Sequence, residues 1–158
     1  MDVKGILEKA RSEKKQIKQK LRKLARKNAR DLDKDFHRLH AEVFEEIDCL
    51  DCANCCKTTS PIFRDADIRR IARHLKIKPA ELIDVHLGLD AEGDYVLKRS
   101  PCVFLGEDNK CSIYEHRPKA CREYPHTERK QMHQILDLTA KNTLVCPAVA
   151  QIVDRLPL

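Results

Sequence analysis

No tryptophan occurs in the 158 residues, and aromatic side chains make up only 4% of the chain. Few large side chains are available to bury, so the core is expected to be modest. A small core is the setting in which metals help to hold a fold together. No stretch of about 18 apolar residues is present either, which argues against a membrane-spanning helix and against a membrane partner. The opening run MDVKGILEKARSEKK has no apolar h-region and no small-residue cleavage site. A secretory signal is therefore not expected, and the protein is expected in the cytoplasm. No internal repeat occurs, and no low-complexity tract beyond a basic N-terminal run.

Against these absences stand eight cysteines: Cys49, Cys52, Cys55, Cys56, Cys102, Cys111, Cys121 and Cys146. Four of them crowd into CLDCANCCKTT, residues 49–59. Thiols in a reducing compartment stay reduced, and clustered ones there serve more often as ligands or catalysts than as staples. Cys49, Cys52 and Cys55 have C-x2-C-x2-C spacing. A tight loop can aim sulfurs so spaced at one metal, as zinc knuckles and iron–sulfur loops do. The adjoining Cys56 is informative, because neighbouring residues rarely point both sulfurs at one ion. One of the pair is available for a second metal, or for bridging. The other four cysteines are remote in sequence, so the site is expected to close only on tertiary folding.

Charge limits the metal. Eight thiolates carry −8; two zinc ions leave −4, and three ions sharing bridging thiolates leave −2. Burying such net charge is costly. Lys57, Arg117, Lys119 and Arg122 are placed in sequence to offset it. A four-iron cluster needs four cysteines and leaves four without a task. The arithmetic favours zinc, with iron or an iron–sulfur cluster as the alternative cofactor.

The predicted fold is mainly α, with a few short strands around a metal-organised cysteine cluster and an N-terminal helical arm. Residues 1–44 are assigned to the arm and 45–158 to the metal-binding domain. Residues 1–47 read as helix. Leu7, Ala10, Lys14, Ile17, Leu21, Leu24 and Asn28 follow a 3-4 spacing. A four-residue skip then brings in Leu32, Phe36, Leu39, Val43 and Ile47. Asp65 is a candidate cap for a helix carrying Ile68, Ile71, Ala72 and Leu75. Pro79 suits the first turn of another helix, which Gly88 can end. LDAEGD reads as a turn and YVLK as a strand. Two extended pieces are expected around a turn at Gly106–Asn109. A helix is expected from about Thr127 to Ala140, and Pro147 can start a last one.

The motifs then agree in order and spacing with a known family. CxxCxxCC is matched by Cys49, Cys52, Cys55 and Cys56, and a CPFL-like segment by CVFL at Cys102. A C-x-IY-x-x-RP-x-x-C-R-x-[FY]-P run is matched by CSIYEHRPKACREYP, Cys111 to Pro125. Over about residues 45–150 the chain resembles the small bacterial YkgJ-like cysteine-cluster proteins. Val103 departs from the proline usual there, which implies a looser turn after Cys102. A similar cluster occurs in flagellin lysine N-methylases, whose remaining parts this chain is too short to include. The resemblance implies metal chelation and supplies no reaction.

Arg117 and Arg122, with Tyr124 and Glu123 beside them, could form an anion site in an enzyme. The plainer reading is that the arginines, with Lys57 and Tyr124, support the thiolates by charge and hydrogen bonding. His116 and His126 flank Cys121, but eight cysteines suffice for two tetrahedral ions without them. DIRRIARHLKIKPAELI has a helix–turn–helix look, yet its second helix is acidic and apolar, unsuited to reading DNA. Residues 1–40 carry 14 Lys/Arg and 6 Asp/Glu, so the net +6 resides in the arm. Residues 1–35 are expected to offer a contact to nucleic acid or an acidic protein. They hold no aromatic residue, so base stacking is not offered. Self-association through the heptad track is a further expectation.

Overall fold

The computed structural model describes residues 2–158. In chain order the helices are α1 (Val3–Ser12), α2 (Lys14–Leu24), α3 (Ala29–Glu46), α4 (Cys49–Cys52), α5 (Asn54–Thr58), α6 (Asp65–Leu75) and α7 (Pro79–His86). Strands β1 (Leu87–Leu89) and β2 (Tyr95–Leu97) follow. Helices α8 (Lys119–Glu123), α9 (Leu136–Asn142) and α10 (Pro147–Arg155) complete the elements, with short 3-10 turns at Tyr114–His116 and Met132–Ile135. The fold is mainly α, as its patterning predicts. No helix among the described residues is long and apolar enough to cross a membrane. The chain divides into two compact units. One holds Met1–Cys52 with Pro125–Leu158, the other Ala53–Tyr124.

The first unit is built on α3. Leu32, Phe36, Leu39, Val43 and Ile47 are buried, as the apolar spacing requires. They pack with Met132, Leu136, Val149, Ile152 and Val153. The region expected as one helix over 1–47 is three. Asn28, on the expected apolar seam, is instead the cap of α3: its side chain accepts from the N–H groups of Arg30 and Asp31. Lys14, also on that seam, is exposed at the start of α2. The rest of the track is used within the unit. Leu7, Ala10, Leu21 and Leu24 are buried, α1 lying against α10 and α2 against α9. Lys9 Nζ reaches Asp154 Oδ1 at 3.2 Å, and Lys20 Nζ donates to the Asp154 carbonyl at 2.8 Å.

The helix expected from Thr127 to Ala140 is replaced by an irregular segment, a 3-10 turn and then α9. The reason lies on α3. Asp33 accepts from the N–H groups of Gln131 and Met132 at 2.8 and 2.9 Å. His37 Nε2 meets the Arg129 carbonyl at 2.8 Å, and His40 Nδ1 meets Thr127 Oγ1 at 2.8 Å. These three residues lie on one face of α3, at i, i+4 and i+7. They take up polar groups that a helix over 127–132 would keep for itself.

The second unit pairs α6 and α7 with a hairpin. In β1 and β2, Leu87 faces Leu97 and Leu89 faces Tyr95. Phe63 adds a bridge to Tyr95. Phe63, Ile68, Ile71, Leu82, Leu87, Leu97, Phe104 and Ile113 form its core. Pro79 starts α7 as expected, while Gly88 lies in β1 and the helix ends at His86. Asp65 is the first residue of α6 rather than its cap. The Asp67 carboxylate reaches back to the Arg64 N–H instead, at 2.9 Å.

Candidate metal centre

Within the second unit, thiols arrive from three places. Ala53 takes a positive φ of 45° and turns the chain into α5, which carries Cys55 and Cys56. The Cys102 N–H donates to the Cys56 carbonyl at 2.8 Å, fixing the 102 segment beside that helix. The chain then folds back on itself. Leu105 bridges Cys111, Gly106 N–H donates to the Lys110 carbonyl at 2.8 Å, and Asn109 takes a φ of 64°. This is the turn expected at Gly106–Asn109, and it returns Cys111 toward Cys102. Both cysteines are half-buried against the unit's core. Cys121 comes from α8, which Pro118 begins.

The segment before Cys121 is held by two residues that cysteine spacing does not reveal. Asp67 on α6 is 2% exposed and pairs with Arg70 at 2.8 Å. Asp67 Oδ1 also accepts from the Lys119 N–H at 3.2 Å. Arg70 donates to the carbonyls of Arg117 at 2.7 Å and His116 at 3.4 Å. Burial pushes the Asp67 carboxyl up, but hydrogen bonds from Arg70 and from the Arg64 and Lys119 N–H groups outweigh it, and the net direction is down. A sequence signal existed: an acid one turn before core Ile71, with an arginine three residues on.

Cys56, Cys102, Cys111 and Cys121 influence one another electrostatically, although no three of the cysteine sulfurs lie within 4.8 Å of one another. The Cys121 thiol is pushed up to about 12, first by burial and then by Cys56, Cys102 and Cys111. Burial is also the main cause raising Cys102 and Cys111, and Cys56 adds to both. Cys56 is the exception. It is drawn down to about 6 by a hydrogen bond from Cys55, against burial and with help from Arg117. Arg117 also eases Cys111 and Cys121. Its Nε donates to the Tyr114 carbonyl at 2.9 Å, and its guanidinium sits 3.8 Å over the Tyr114 ring.

Cys49, Cys52 and Cys146 belong to the first unit. Asp48, before the cysteines of α4, accepts from the Leu50 N–H at 2.8 Å and so serves as a local cap. Cys146 precedes α10. Its thiol is pushed up to about 11, mainly by burial and further by Cys49 and Cys52, while the Val149 and Ala148 N–H groups partly offset this. Arg122 is exposed on α8, Lys57 is exposed on α5, and Tyr124 is half-buried just after α8. His116 stacks on His74 with ring centroids 4.1 Å apart.

Chemically, the donors that influence one another in each unit are all sulfur, with the Arg117 cation acting on one set. Soft and borderline ions such as zinc and the iron of iron–sulfur clusters take such donors. The class is thus a small helical thiol-cluster domain. The family model "CxxCxxCC: Putative zinc- or iron-chelating domain" matches residues 48–146, more than half of the chain and all eight cysteines. The chain belongs to this family. No curated protein and no solved structure matches it.

Proposed function

We propose that this is a cytoplasmic metal-thiolate protein in which zinc organises the fold. The mutual electrostatic influence of Cys56, Cys102, Cys111 and Cys121, with Arg117 acting on Cys56, Cys111 and Cys121, supports this reading. The sulfurs close in on the ion as it binds, since no three of them lie within 4.8 Å of one another in this structure. Four thiolates are what a closed tetrahedral zinc site uses, and closed sites are structural. One zinc leaves such a set with a charge of −2, which Arg117 halves. Cys55, bonded to Cys56, is a fifth sulfur there and a candidate bridging ligand. Cys49, Cys52 and Cys146 supply a second ion. Arg117 compensates charge, and Tyr124, Lys57 and Arg122 are assigned supporting roles around the thiolates.

Elemental analysis and an absorption spectrum, taken on protein purified without oxygen, test this reading. About two zinc ions per chain and no visible colour are expected. Iron and sulfide in stoichiometric amounts, with visible absorption, would overturn the zinc assignment in favour of an iron–sulfur module.

A further inference from the structure

We propose that the outward face of α2 is a docking surface for the phosphate backbone of double-stranded DNA. Between Glu13 and Asp31 the chain has nine Lys/Arg and no acid. Lys14, Lys18 and Arg22 recur at i+4 and form one row along α2, and Arg26 follows in the turn just after it. All four are exposed, and none has an ion pair among the described residues. Like charges at this spacing repel and destabilise a helix.

The inward side behaves differently. On α2 Lys20 finds Asp154, as does Lys9 on α1, and Lys27, after α2, pairs with Asp35. Cations facing the unit are thus matched by its own oxygen atoms, whereas the outward row is left for something outside the chain.

The chemistry of that face selects the partner. Its other exposed residues between 14 and 26 are Lys15, Gln16, Gln19, Lys23 and Ala25. An acidic protein would need apolar or aromatic anchors for the centre of an interface, and this face has none. A single strand would need rings to stack on, and residues 1–35 have no aromatic side chain. A phosphate backbone needs only spaced cations. From Lys14 to Arg22 the row spans about 12 Å at 1.5 Å per residue, with Arg26 beyond its end. Duplex DNA carries one charge per about 1.7 Å of axis, so the row meets a dense line of phosphates. Recognition on this basis is electrostatic and independent of sequence.

The test is fluorescence anisotropy with the full chain and a labelled 20-base-pair DNA duplex of mixed sequence. Four phosphate contacts predict a slope of log affinity on log salt near −3.6, or a loss of about 150-fold between 50 and 200 mM salt. The variant Lys14→Gln, Lys18→Gln, Arg22→Gln, Arg26→Gln should bind at least ten-fold more weakly at 50 mM salt, with a shallower slope. A control of equal net charge, Arg69→Gln, Arg73→Gln, Lys78→Gln, Lys110→Gln, should bind like the parent. Circular dichroism checks that both variants fold, and glutamine keeps a helix propensity close to that of lysine and arginine. Lack of binding at 50 mM salt overturns the proposal, as does equal loss in both variants. Tighter binding to a poly-glutamate peptide than to the duplex would assign the row to an acidic protein instead.

Discussion

Cys56 and Cys121 act on one another electrostatically, yet one thiol is drawn down to about 6 and the other pushed up to about 12. A hydrogen bond from Cys55 lowers the first, and burial raises the second. At neutral pH an arriving ion meets one ready thiolate and must displace protons from the others. Zinc uptake should therefore strengthen steeply from pH 6 to pH 8, with proton release seen in weakly buffered titrations. Uptake that is flat with pH would contradict this assignment. The metal-free chain has the opposite sign at high pH. Cys121 and Cys146 have folded pKa values above the ordinary thiol range of about 8.5. Their contribution is full below that range and is lost as pH rises toward 11 and 12. Thermal melts should show the metal-free chain weaker at pH 10 than at pH 8, and the zinc-loaded chain little changed.

Among the elements, α6 and α3 each place a segment distant in sequence. Through Asp67 and Arg70, α6 holds the backbone of 116–119. Replacing Asp67 by Asn removes a buried charge-assisted network and should cost about 1.5–3 kcal/mol in denaturant titrations. Because the Asp67 pKa is lowered, its contribution is full above the ordinary value of about 3.9 and is lost as pH falls through the folded value. The gap between wild type and variant should accordingly close in acid. Looser placement of Arg117 and Cys121 should also weaken zinc binding, measured by chelator competition. In the other unit, Asn28→Ala removes the α3 cap and should cost about 1 kcal/mol by the same titration. An unchanged midpoint would mean that packing of Leu32 and Phe36 sets the helix start without the cap.

At the scale of the whole molecule, metal and fold are coupled. Zinc binding at structural thiolate sites is worth about 10–16 kcal/mol in apparent free energy, comparable to the stability of an entire small domain. Complete removal by a strong chelator should lower the melting temperature and reduce helical circular dichroism, leaving a weaker but still cooperative melt. If both survive demetallation, the metal is not structural. The division of sulfurs is open to a metal count. Cys121→Ser and Cys146→Ser should each lose about one zinc, and the double variant both. Loss of all metal from Cys121→Ser alone would overturn the division into two sets.

Sequence by itself determined whatever depends on neighbours within a turn or two. The track Leu32, Phe36, Leu39, Val43 and Ile47 buries one face of α3 because 3.6-residue periodicity is local. Pro79 and Pro147 start helices because a fixed φ and a missing N–H suit the first turn. The family was legible because its cysteine spacings are linear patterns. Tertiary structure decided the rest. Cys49, Cys52 and Cys55 look equivalent in the spacing, but which sulfur raises or lowers which thiol depends on chain segments up to about a hundred residues away. Asp67 and Lys119 lie 52 residues apart, and Asp33 and Met132 lie 99 apart. Such pairs form because buried polar groups must find partners wherever packing brings them, a demand that no local pattern records.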